Sequence, residues 1–253
     1  MEFCESALEV MEACDIKGYT LVGDLRELPF KEGVFSKVWS FSVIQHTHKD
    51  RLLNCINHIY RILKQTGSCC LEFPNRDGWR NRRGPVIREE RKGDDYNSWR
   101  VRYYSIKQYK EMFESLFSNF SFRNHSFLGI GVLPDDLKYA KGLKSRMSIA
   151  FSLLLSALTK LVKPLKYWSD SVYVECTKNE PSLNKKAIDE FKMLHATHPG
   201  RNLNILCLLQ CPLSGGELQL DDTGTRLLSQ EAGVYFPVRN NIPILVPSQA
   251  CRL

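Results

Sequence analysis

The sequence contains no apolar run long enough to cross a bilayer. Its most hydrophobic stretch, Met147 to Leu158, is about a dozen residues, against the roughly 20 that a spanning helix needs. It also lacks a basic N-terminal segment followed by an apolar core. The opening MEFCESALEVMEAC carries acids there and does not read as a secretory signal peptide. Its nine cysteines are scattered and odd in number, which excludes a disulfide framework and predicts reduced thiols in a cytoplasmic protein. No charge of one sign dominates. The net charge of +7 admits an anionic partner without requiring one. What remains is 253 residues of ordinary soluble composition, 43% apolar and 25% charged, enough for one large domain or one domain with a small appendage.

Residues 5–15, ESALEVMEACD, have the three- and four-residue apolar spacing of a helix. Tyr19–Val22 reads as a strand, and Phe35–Val43 as a central, β-rich one. Residues 49–64 gather Leu52, Leu53, Ile56, Ile59, Tyr60 and Leu63 on one helical face, with a stop at Thr66-Gly67. Ser68–Phe73 is the next strand, closed by Pro74. Helices alternating with continuous apolar strands predict an α/β fold with a parallel, doubly wound sheet, although residues 23–34 are short for a crossover. Ligands of such sheets sit beyond the carboxyl ends of the strands. In TLVGDLRELPF, residues 20–30, Asp24 stands at such an end. It either faces a ligand or caps the following turn, and position alone does not choose.

The stretch VGDLRELPFKEGVFSKVWSFSVIQHT resembles the central motifs of class I S-adenosylmethionine-dependent methyltransferases of the type 11 group. The resemblance is close over residues 1 to about 75 and implies a Rossmann-like sheet with S-adenosyl-L-methionine as cofactor. It implies that Asp24 accepts the adenine amino group, that the amide of Leu25 meets the ring, and that Phe41 and Ser42 line the cofactor beyond the next strand. Ser36 stands where the family usually has an acid. EFCESALEVMEA is similar to the family segment whose leading acid binds the ribose hydroxyls, which puts Glu2 in that role. No G-x-G-x-G loop precedes it, so the chain is similar to a member that lacks its N-terminal portion. In the family that loop lets backbone approach the methionine part of the cofactor.

Residues 76–102 hold nine basic and five acidic residues with Trp79, Tyr96 and Trp99 among them. They read as a solvated loop over the active site or as a grip on nucleic acid by charge and stacking. Ser105 is a candidate N-cap for the helix that follows. Ser121–Phe127 and Ser171–Thr177 resemble the sixth and seventh strands of the same family, and His125 on the first is expected to be structural. Residues 146–168 read as a lid helix packed on the sheet edge or on a lipophilic substrate. The flanking Lys160, Lys163 and Lys166 also suit a membrane surface, but that contact is not the expectation.

Residues 178–202 are a polar linker around a short helix, LNKKAIDEFKMLH. Residues 203–253 carry short strands and turn signals. Leu209-Gln-Cys-Pro-Leu-Ser-Gly-Gly-Glu-Leu218 and Gly233-Val-Tyr-Phe-Pro-Val-Arg-Asn-Asn-Ile242-Pro243 resemble the zinc-ribbon-like activators of tRNA and translation-factor methyltransferases and their free-standing bacterial relatives. Ser214 replaces the second cysteine of the first motif, and Ser229 stands near the later one. Zinc needs four suitable ligands, so no metal is expected. The domains expected are 1–178 methyltransferase-like, 179–202 linker and 203–253 metal-free and zinc-ribbon-like, the last docked on the first because its core is small.

Two functions follow. One is methyl transfer to an unidentified acceptor, with His46 and Tyr104 as weak catalytic candidates at the strand ends. The other is a non-catalytic methyltransferase-like scaffold or partner-binding protein.

Overall fold

The computed structural model describes residues 19–47, 49–82, 101–129, 132, 134–178 and 202–253. Glu2, the expected helix at 5–15, most of the basic segment 76–102 and the expected helix at 183–195 lie outside the described residues. In chain order the elements are strand β1 (Val22–Gly23), β2 (Phe35–Ser40), helix α1 (Lys49–Ile62), β3 (Leu63–Pro74), α2 (Ile106–Glu114), β4 (Asn119–Ser126), α3 (Asp136–Tyr139), α4 (Leu143–Leu158), β5 (Ser171–Thr177), β6 (Gln219–Leu220), β7 (Arg226–Ser229), β8 (Val234–Arg239), β9 (Ile242–Leu245) and β10 (Cys251–Arg252). The chain divides into two compact units, Phe35–Asn179 and Met1–Val34 with Glu180–Leu253.

The larger unit is mixed α/β. Its sheet runs β2-β3-β5-β4, with β2 parallel to β3 and β5 antiparallel to both its neighbours. A parallel pair needs a crossover, and α1 supplies it. Leu52, Cys55, Ile56 and Ile59 recur at helical spacing and are all buried. Tyr109 and Phe113 of α2 close on Phe73 of β3, with ring centroids 4.6 and 5.9 Å apart. The capping box expected at Ser105 is present. Ser105 Oγ accepts from the Gln108 amide at 3.2 Å, and Gln108 Oε1 accepts from the Ser105 amide at 2.9 Å. The helical stop at Thr66-Gly67 is corrected. α1 ends at Ile62, and residues 64–67 are an irregularity inside β3, with Thr66 at φ 64°. A side chain on Gly67 would meet the Lys64 carbonyl oxygen at 2.8 Å, so the bulge requires glycine there.

The smaller unit is β-rich, in the order β1-β9-β8-β7-β6 with β10 on β8. Here the structure departs from the expected domain boundaries. β1 does not join the β2–β3 sheet. Val22 and Gly23 pair in parallel with Ile244 and Leu245 of β9. The segment is tied on again by the Lys31 amide to the Leu208 carbonyl (2.9 Å) and the Gln210 amide to the Pro29 carbonyl (3.0 Å). The physical reason is apolar. Leu21 and Phe30 pack against a core of Ile205, Leu209, Cys211, Leu218, Leu227, Phe236 and Leu245. A module this small gains from two further hydrophobic side chains. Residues 21–31 thus add a strand to the β-rich unit itself.

Candidate functional site

In the smaller unit, β1 is two residues long and Asp24 ends it. Asp24 has extended backbone and caps the turn Leu25–Glu27, its Oδ1 accepting from the Arg26 amide at 2.8 Å. The Arg26 guanidinium also donates to both carboxylate oxygens. Asp24 is only 6% exposed. Burial pushes its carboxyl up, but the hydrogen bonds and charge of Arg26 outweigh that and hold it below the usual carboxylate value. The capping role weighed for Asp24 is thus present. An adenine amino group would therefore compete with the Arg26 guanidinium for Oδ2. Leu25 lies in the capped turn itself.

The same unit holds Cys211. Its backbone closes a tight turn, the amide donating to the Gly216 carbonyl and the carbonyl accepting from the Gly215 amide, each at 2.8 Å. Burial raises the thiol. Hydrogen bonds from the Ser229 and Ser214 hydroxyls and from nearby backbone amides outweigh it, and the net displacement is downward. The two serines noted in the sequence therefore surround this sulfur. Among the described residues no group of three or more His, Cys, Asp or Glu side chains is arranged to hold a metal ion.

In the larger unit, Phe41, Ser42 and His46 follow the carboxyl end of β2. Phe41 is half exposed and Ser42 adopts φ 56°. This turn is held by Gln45, whose Nε2 donates to Ser42 Oγ at 2.7 Å while its buried Oε1 has no hydrogen-bond partner among the described residues. Buried Arg102 ties the turn to the end of the basic segment. Its amide donates to the Gln45 carbonyl and its Nη1 to the His46 carbonyl, both at 3.0 Å. Tyr104 pairs with Asn75 at the end of β3 and accepts the Arg76 amide through its carbonyl at 2.9 Å. Phe41, Ser42, His46 and Tyr104 therefore share the carboxyl rim of the parallel pair β2–β3, the rim where ligands of such sheets sit.

Behind that rim, Asp170 is buried. It accepts the Arg80 amide on Oδ1 and the Gly129 amide on Oδ2, both at 2.7 Å. Gly78 lies so close that a Cβ would stand 2.6 Å from the Asp170 Cα, so only glycine fits.

Sequence reasoning missed Gln45, Arg102 and Glu72. Glu72 is a lone acid in SCCLEF, 5% exposed, with Oε2 buried and without a hydrogen-bond partner among the described residues. Its Oε1 stands 3.6 Å from Nδ1 of His125, which also meets Ser171 Oγ at 2.9 Å. The signal available was an acid in an otherwise apolar strand. His125 also contacts the Tyr173 and Phe41 rings, at 4.6 and 5.2 Å between centroids, in keeping with a structural role.

Residues 1–71 match a family model described as a methyltransferase domain. In its C-terminal region the chain is similar to UPF0434 proteins. It is 43% identical over 49 residues to one from Ectopseudomonas mendocina, covering 19% of this chain and 80% of that protein. With one from Anaplasma phagocytophilum the identity is 45% over 49 residues, covering 19% and 69%. Among solved structures, a SAM-dependent methyltransferase from Thermotoga maritima aligns over 69% of this chain and 70% of its own, at 16% identity and TM-score 0.43. A complex of a methyltransferase activator with a methyltransferase from Haloferax volcanii aligns over 65% and 62%, at 15% identity and TM-score 0.37.

Proposed function

Because the chain belongs, through its C-terminal region, to the UPF0434 protein family and carries a methyltransferase-domain match ahead of it, we propose that it is an S-adenosylmethionine-dependent methyltransferase segment joined to a metal-free module of activator type. The observation that carries this reading is that the matched residues 1–71 include β2, α1 and most of β3, whose carboxyl rim carries Phe41, Ser42 and His46. The unpartnered Oε1 of Gln45 at that rim is an acceptor in want of a donor, as a polar ligand edge would supply.

When bound, the cofactor supplies an electrophilic methyl group on a sulfonium. The protein's share is to position two reactants, for which proximity and orientation are the main lever. In this reading Glu2 holds the ribose, Asp24 the adenine amino group and the Leu25 amide the ring edge, while Phe41 and Ser42 flank the cofactor. His46 takes the acceptor's proton if the acceptor has one to lose, and Tyr104 shapes the acceptor pocket. The acceptor is a small molecule, a nucleic acid or a protein of the translation apparatus. Equilibrium dialysis of the whole chain against labelled S-adenosylmethionine tests the cofactor assignment. Saturable binding supports it, and no binding at millimolar cofactor removes it.

A second reading has its own support. Both oxygens of Asp24 are engaged by Arg26, which favours a non-catalytic scaffold in which residues 21–31 serve the β-rich module.

A further inference from the structure

Helix α4 exposes an apolar stripe. Leu143, Met147, Phe151 and Leu154, spaced by four, four and three residues, form one stripe and are 75%, 63%, 50% and 54% exposed. The opposite side carries the polar residues inward. Ser152 is 1% exposed and donates to the Phe127 carbonyl at 3.2 Å. Thr159, just past the helix, donates to Asn124 Oδ1 at 2.7 Å. Thus hydroxyls anchor the helix to the chain around β4, and the Leu143–Leu154 stripe faces away, while Ile149, Leu153, Leu155 and Leu158 are partly buried. A soluble helix buries such a stripe.

Along the chain, the helix itself is flanked by basic residues only, although Asp135 and Asp136 lie at the start of the short helix α3 beside it. Between Asp136 and Asp170 there is no acid, while Lys141, Lys144 and Arg146 stand at one end of the helix and Lys160, Lys163 and Lys166 at the other. Half-exposed Trp79 and Trp168 pack edge to face at 6.4 Å, and Tyr167 lies under Lys166 at 5.6 Å. Amphipathic rings of this kind favour the boundary between water and lipid. No helix among the described residues is long and apolar enough to cross a membrane.

We propose that the outer face of α4 with its basic flanks is a docking surface for an anionic lipid bilayer, on which the helix lies in the plane of the headgroups. Apolar side chains enter the acyl boundary while the lysines meet lipid phosphates, a division of labour that a neutral or cationic partner would not satisfy. The sequence-based expectation against membrane contact assumed that these leucines pack on the sheet edge or a substrate. The structure leaves the stripe exposed.

Flotation of the purified whole chain with phosphatidylcholine vesicles, with and without phosphatidylserine, tests this. Binding should be at least about tenfold tighter with phosphatidylserine and should weaken with added salt. Met147→Glu with Phe151→Glu should abolish it without changing the circular dichroism, since both residues are exposed. Lys160→Gln with Lys163→Gln should weaken binding about tenfold or more on anionic vesicles only. Absence of vesicle binding overturns the proposal, as does binding indifferent to both double variants. A dimer in sedimentation that Met147→Glu with Phe151→Glu dissociates, with no vesicle binding, assigns the face to a second copy and equally overturns it.

Discussion

The guanidinium of Arg26 donates from Nε to both carboxylate oxygens of Asp24, at 2.9 Å each, and from Nη2 to Oδ2 at 2.5 Å. This fork closes the turn that follows β1 and fixes how residues 21–31 enter the β-rich unit. It also occupies the atoms through which Asp24 would meet an adenine ring.

The pair makes the β-rich unit acid-sensitive in a defined direction. The folded Asp24 carboxyl titrates below its unfolded value, so the folded state binds its proton less readily. Its stabilisation is present above the ordinary aspartate range, near pH 4, and is lost as pH falls through the lower folded value. Asp24→Asn should flatten the acid limb of a thermal-melting profile as pH falls below the ordinary aspartate range, near pH 4. An unchanged limb would mean that other carboxylates set it.

Residues 203–253 should be less stable alone than with residues 19–34 attached. Leu21 and Phe30 contribute to the shared core, and a buried large-to-small change costs about 2–5 kcal/mol. Both are only partly buried, so Phe30→Ala should fall near the lower end of that range in urea titration of the whole chain. A change below about 0.5 kcal/mol would show that the segment merely rests on the module.

The purified chain should contain no stoichiometric zinc by elemental mass spectrometry. The hydroxyls of Ser214 and Ser229 reach Cys211, so Ser214→Cys with Ser229→Cys should place three thiols together and confer metal uptake, with water completing a tetrahedron. One equivalent of zinc in the unaltered chain that survives a chelator would contradict the serine substitution argument.

Ser105→Ala should cost about 1 kcal/mol, because it removes one half of the capping box that starts α2. Thermal melting measures it, and Ser105→Asp should recover most of the loss.

Where a long periodic pattern was available, as in α1 with Leu52, Ile56 and Ile59, sequence and structure agree, although Leu53, expected on the same face, is 41% exposed and Leu63 opens β3. The capping box at Ser105 is a local signal and was equally legible. The partner of β1 was not. A strand of two residues has no period, and Leu21 and Phe30 would be as content in one apolar sheet as in another. The orientation of α4 was hidden for the opposite reason, since SLLLSAL is apolar nearly all round. The contact of Glu72 with His125 joins residues 53 positions apart, and the acid alone marked the place.

The proposed function has this chain bind S-adenosylmethionine through Asp24. Calorimetric titration of the cofactor into the whole chain, Asp24→Ala and Arg26→Ala measures it directly. Loss of a charge-assisted hydrogen bond of about 1.5–3 kcal/mol predicts affinity about tenfold to a hundredfold weaker for Asp24→Ala. Freeing Oδ2 predicts tighter binding for Arg26→Ala. Because Asp24 also caps a turn, circular dichroism must show each variant folded at the titration temperature. Equal affinity in all three proteins, or no binding in any, would contradict the account and leave Asp24 as a turn residue of a scaffold.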